Sequence, residues 1–234
     1  MDYIPYCGPA PHPGGVLAAW NFDPVVLVAL ALLTLGLHRR GLRVRIGLGL
    51  LALAYVSPLC ALSAGLFSAR TVHHLVIVLG AAPLLAEALR LDRVRLVPAL
   101  IAHLAVFWLW HLPAAYELAL SSDLAYWIGQ FALLGSAILL WRALGREDIL
   151  PTSVFFVIAA MVMQMGMLGA ILTFAPHALY APHFLTTQGL GFGVLEDQQI
   201  AGLIMWVGSL PLTILAGWPP LVRLFTQTRR RIAA

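Results

Sequence analysis

Residues 152–174, TSVFFVIAAMVMQMGMLGAILTF, run from end to end without a charged side chain. A helix needs about 20 predominantly apolar residues to cross the hydrocarbon core of a bilayer, and this run is long enough. Six further apolar runs flank it, at roughly 24–38, 46–66, 71–89, 96–113, 124–142 and 198–221. Whole-chain composition agrees: mean hydropathy is +0.90, 61% of residues are hydrophobic and only 10% are charged. So few charges cannot cover a water-facing surface, so lipid is the expected solvent. The expected fold is all-α, a polytopic transmembrane helix bundle of about seven spans, with residues 1–234 forming one transmembrane domain.

The basic residues are all arginines, and they cluster between the runs. Arg39, Arg40, Arg43 and Arg45 follow the first run, and Arg90, Arg93 and Arg95 follow the third. Arg142 and Arg146 follow the fifth, and Arg223, Arg229, Arg230 and Arg231 follow the seventh. Arg70 alone falls on the other side. The positive-inside rule places the clusters in the cytoplasm, with the N-terminus outside and the C-terminus cytoplasmic. The same pattern explains a pI near 9.5 without nucleic acid. Asp23-Pro24 has the form of a helix start, and Asp123 and Asp197 resemble caps of the fifth and seventh runs.

Ligand-type side chains gather at the opposite face. His73 and His74 open the third span, and His111 sits in Trp110-His111-Leu112-Pro113 at the end of the fourth. Adjacent helical residues point about 100° apart, so His73 and His74 cannot share one partner helix. One is expected to ligate while the other faces headgroups. His74 and His111 fall at similar depth on sequential helices and form a candidate ligand pair. His103 lies about 12 Å deeper at 1.5 Å per residue and is expected to bond another helix. Pro113 ends or kinks its helix and frees carbonyls nearby.

Cys7 and Cys60 both reach the outer side, where a disulfide, a pair of Cu(I) thiolates and two free thiols are all open readings. Met161, Met163, Met165 and Met167 carry soft thioethers, but alternate helical positions diverge, so packing is preferred to copper. Gly166 and Gly169 suggest a close helix crossing. Glu87, at an inner helix end, is expected to pair or snorkel. The chain carries no Walker A loop, dinucleotide-binding glycine fingerprint or His-Glu-x-x-His zinc motif. No charged pair at mid-membrane or inverted repeat points to a transporter.

The run Leu195-Glu196-Asp197-Gln198-Gln199-Ile200-Ala201-Gly202-Leu203-Ile204-Met205-Trp206 resembles the signature of the CtaG family of cytochrome c oxidase assembly factors. Ser57-Pro58-Leu59, Leu66-Phe67-Ser68-Ala69, His74, Ala82-Pro83-Leu84-Leu85 and Trp110-His111-Leu112-Pro113 also resemble that family, as do Tyr6-Cys7-Gly8 and Trp20-Asn21-Phe22-Asp23-Pro24. The resemblance implies a non-enzymatic protein of the bacterial inner membrane that works on oxidase subunits, with copper delivery as its usual role. The chain departs from the family at Arg70-Thr71, where a His-Met pair is common, and near Asp123, Tyr126 and Trp127, where histidines are common. These departures move the expected Cu(I) ligands to His74 and His111, with His73 and Cys7 as auxiliaries. Asp197 and Gln198 would cap span seven and shape the floor of the site, with Gln199, Met205 and Trp206 completing the motif. A haem b held between histidines and a metal-free scaffold are the alternatives.

Overall fold

A computed structural model describes residues 4–89, 91 and 93–222. Asp2, Arg90 and the tail arginines Arg223 and Arg229–Arg231 lie outside them. Among the described residues the chain is all-helical, with no strand. The helices are α1 (Pro24–Leu37), α2 (Leu42–Val56), α3 (Pro58–Gly65), α4 (Phe67–Leu75), α5 (Ala82–Ala86) and α6 (Leu96–His111). They continue as α7 (Pro113–Ser121), α8 (Asp123–Leu144), α9 (Pro151–Phe174), α10 (Val194–Leu203) and α11 (Ser209–Ala216). Single π-helical stretches, Val76–Ala81 and Ile204–Gly208, join α4 to α5 and α10 to α11.

The breaks follow from proline. Ser57 and Leu112 each precede a proline and are extended, because the proline ring disfavours the helical region for its predecessor. The chain bends by 49° between α2 and α3 and by 74° between α6 and α7. Each π stretch precedes a proline, Pro83 or Pro211, that lacks an N–H and would crowd the carbonyl four residues back. A widened turn absorbs that mismatch without breaking the helix.

Four segments are long and apolar enough to cross a membrane: Phe67–Ala86, Asp123–Leu144, Thr152–Phe174 and Val194–Ala216. The two bent pairs raise the number to six. Large apolar side chains point outward, among them Phe131, Phe156, Met163, Phe174 and Leu215. Such a surface suits lipid and would aggregate in water.

The core is a continuous apolar cluster, and Phe67–Ala86, which begins with α4, is the most buried of the long spans; α3 and α10 pack on α4, and α2 packs on the π stretch that follows it. Met161 and Met165 are buried in it while Met163 and Met167 face outward, so this row is packing. Between α9 and α10 the backbones nearly touch. A Cβ on Gly202 would lie 2.7 Å from the Gly169 carbonyl oxygen, and one on Gly169 would lie 2.7 Å from that of Gly202. Gly166 is looser, with its nearest neighbour, an atom of Trp206, 3.4 Å from such a Cβ.

One end of the bundle collects arginines. Arg43 pairs with Glu87 at 2.8 Å, Arg142 Nε donates to the Leu89 carbonyl, and Arg146 donates to the Val94 carbonyl. The other end collects the amino-terminal segment. Cys7 and Cys60 form a disulfide across 53 residues. Tyr6 donates to Asp23 at 2.8 Å and stacks on Tyr126. Asn21 donates its backbone N–H to the Val56 carbonyl and its side-chain amide to that of Tyr55. Asp23 caps α1 as expected, accepting from the N–H groups of Val25 and Val26. The fifth long helix differs: its cap is Ser122, with Asp123 the first helical residue.

Candidate functional site

His74 and His111 meet. Their ring centroids are 5.0 Å apart, edge to face, with Phe107 against both. The expected pairing of these residues is thus present in the fold. Two local features set it up. Leu112-Pro113 stops α6 directly after His111, and α4 brings His74 in from the core. His111 Nδ1 lies 2.6 Å from the Phe107 carbonyl oxygen. That oxygen only accepts, so Nδ1 carries the proton and Nε2 keeps a free lone pair. His74 Nε2 is buried with no hydrogen-bond partner. Tyr180 OH donates at 2.6 Å to the His111 carbonyl that the helix end frees.

His73 is placed differently from expectation. It is 1% exposed and does not face headgroups. Its ring lies edge-on to Tyr55 of α2, 5.3 Å between centroids. The divergence of adjacent residues holds, but both directions lead into protein. The Nε2 of His73 is also buried and unpartnered.

Cys7 is corrected outright. Its sulfur is bonded to Cys60, and a disulfide sulfur is not a thiolate donor. His103 bonds Ser136 Oγ on α8 at 3.0 Å, as its depth suggested, and belongs to no ligand set. Among the described residues no group of three or more His, Cys, Asp or Glu side chains could hold a metal ion.

Asp197 does not cap its own helix. Gly193 occupies that position, and its N–H donates to the Glu196 carboxylate at 3.2 Å. Asp197 is fully buried and accepts from Phe67 N at 2.6 Å, Ser68 N at 3.2 Å and Ser68 Oγ. It therefore caps α4, the helix that carries both histidines. Gln198 holds the α9–α10 loop: it accepts from Leu179 N at 2.6 Å and donates to the carbonyls of Leu172 and His177. Gln199 is half-buried, Met205 is core, and Trp206 lies half-exposed over the glycine crossing. The motif thus clamps α4 and the loop through Asp197 and Gln198.

Two participants escape sequence reading. Arg70, the lone arginine off the clusters, is buried beside Tyr126 and Tyr116, its Cζ 5.1 and 5.9 Å from their ring centroids. Its isolation was the available signal. His183, in the α9–α10 loop, accepts from Tyr116 OH at 2.6 Å, and its Nδ1 faces the Gly65 carbonyl at 3.4 Å. No spacing motif marks it.

Burial holds the His183 imidazole down to about 4, against a backbone bond that raises it and alongside Arg70, which lowers it further. The unfolded chain binds that proton near 6.5, so folding stability is intact above that value and falls as pH drops toward 4. The loss is expected to reach roughly 2 kcal/mol at pH 5. Thermal midpoints from pH 7.5 to 4.5 check this: His183→Gln should flatten the slope, and an unchanged slope would refute the assignment.

Arg70, His73, His74, His111, Tyr116 and Gln130 share the wall of one cavity. About 40 Å³ of it is open to the centres of water-sized molecules. A family model described as cytochrome c oxidase caa3 assembly factor, Caa3_CtaG, matches residues 38–230. No curated protein and no solved structure matches the chain.

Proposed function

The chain belongs to the Caa3_CtaG family of cytochrome c oxidase caa3 assembly factors, and from that premise we propose that it handles Cu(I) for the oxidase at the outer face of a bacterial inner membrane. A role in assembling that oxidase follows from membership. The copper reading rests on one observation: two imidazoles in contact, one with Nε2 unpartnered and the other with Nε2 left free by its backbone bond.

Copper is cargo here, and the donor set suits only its reduced form. Two neutral imidazoles satisfy a low-coordinate Cu(I), whereas divalent ions ask for three or four ligands. Haem fits poorly, because rings in edge contact beside so small a cavity leave no slot for a porphyrin. The protein acts as a carrier or subunit-positioning factor and not as an enzyme.

Topology enters the same proposal. The gathering of Arg43, Arg142 and Arg146 at one end supports a cytoplasmic assignment for that end. α1 makes the seventh span. Its 14 residues reach about 21 Å, and the Trp20–Asp23 segment supplies the remainder within the interface. The amino terminus and the histidine pair then lie outside.

Purified protein loaded anaerobically with Cu(I) should retain the metal after desalting. A His74→Ala/His111→Ala variant should bind it at least ten-fold more weakly, and His103→Ala should retain it. Undiminished copper in the double variant would sink the assignment.

A further inference from the structure

Arg70 is a buried cation without a matching anion. It is 9% exposed, and its Nη1 donates to Ser63 Oγ at 3.3 Å. Its guanidinium also lies 5.9 and 5.1 Å from the ring centroids of Tyr116 and Tyr126, two neutral phenols. Among the described residues the ion pairs join Arg43 to Glu87 and Arg146 to Asp148, and none includes Arg70. The buried carboxylate of this region, Asp197, has both oxygens committed to Phe67 and Ser68. The disulfide removes Cys7 as a source of negative charge.

A charge taken out of water without a partner is costly, and buried charges in proteins are paired. The tyrosine faces offset part of that cost. The guanidinium also borders a cavity. On the cavity wall, Gln130 Oε1 accepts from Tyr55 OH at 2.9 Å, which leaves its amide N–H groups to donate elsewhere.

We propose that this cavity binds a small monovalent anion of about the size of chloride, held by the Arg70 guanidinium and the Gln130 amide. The open volume accommodates about two or three water-sized particles. That admits a halide and excludes a lipid phosphate headgroup. The inference does not require copper, since Arg70 needs a counter-charge whether or not metal is present. Where copper does enter, the anion offsets the repulsion between Cu(I) and the guanidinium and makes the loaded site less costly.

The test is metal-free. Full-length protein in nanodiscs is titrated with sodium chloride against sodium gluconate at constant ionic strength, in the presence of a chelator. Thermal midpoint and tryptophan fluorescence are followed; Trp110 borders the cavity and reports locally. The expected result is a saturable rise of several degrees with a matching fluorescence change, both absent in Arg70→Gln. Absence of a saturable response in the wild-type protein overturns the proposal, as does a response retained in Arg70→Gln. If Arg70→Gln does not fold, Arg70→Lys decides, because it keeps the charge and loses the planar fork. At least ten-fold weaker chloride dependence in Arg70→Lys supports the site, and an unchanged dependence overturns it.

Discussion

Asp197→Ala is expected to destabilise the protein by roughly 3–5 kcal/mol and to abolish Cu(I) retention with it. The carboxylate is fully buried and accepts two backbone N–H groups and one hydroxyl from the first turn of α4. Charge-assisted bonds of this kind contribute about 1.5–3 kcal/mol each, and a buried donor left unpaired adds its own cost. The helix dipole adds to the loss, because a negative charge at an N-terminus is favourable. Asp197→Asn keeps the shape but turns one acceptor into a donor, and should cost about half as much. The check is the thermal midpoint in detergent, with copper loading read on the folded fraction. A midpoint unchanged in Asp197→Ala would mean the α4 cap carries no weight.

Gly202→Val should cost a comparable amount for a different reason. Its Cβ would sit 2.7 Å from both the Gly169 carbonyl oxygen and the Thr173 nitrogen, and backbone atoms cannot step aside as a flexible side chain can. The helices α9 and α10 must separate, which forfeits dispersion contacts along the crossing and loosens Asp197 from α4. Overpacking in well-packed cores costs about 1–3 kcal/mol, and rigid backbone neighbours place this site at or above the upper end. Gly166→Ala, with its nearest neighbour at 3.4 Å, should change the midpoint by no more than about a degree. Equal effects at the two glycines would contradict the close-crossing account.

Local rules carried the sequence reading far at some residues and failed at others. Apolar run length identified an all-helical chain with several membrane-crossing segments, four in the fold or six with the bent pairs against about seven expected, and the arginine clusters identified the end at which Arg43, Arg142 and Arg146 gather. The pairing of His74 with His111 was legible because depth along two consecutive helices is simple arithmetic. The Asp23 cap was legible because a cap acts on its own chain two or three residues on. The same rule misled at Asp197, which caps a helix 130 residues earlier; no local spacing encodes that contact. One of His73 and His74 is expected at the headgroups because both sit near the end of their run, but tertiary packing buries His73 as well as His74. The bond between Cys7 and Cys60 depends on Cα separation, here 5.1 Å, which sequence does not contain. Arg70 and His183 stood outside every motif, since their roles come from neighbours on other elements.

The Cys7–Cys60 bond also bears on how the chain is made. The two cysteines flank α1 and α2, and under the proposed topology this hairpin must be inserted before they can meet on one side of the bilayer. In that topology a nascent chain whose first helix stays unthreaded strands Cys7 in the reducing compartment, away from its partner. Under the proposed topology, oxidation of the pair therefore records that the opening hairpin was inserted correctly. The fraction of protein carrying the bond reports how faithfully the membrane machinery handled the opening hairpin.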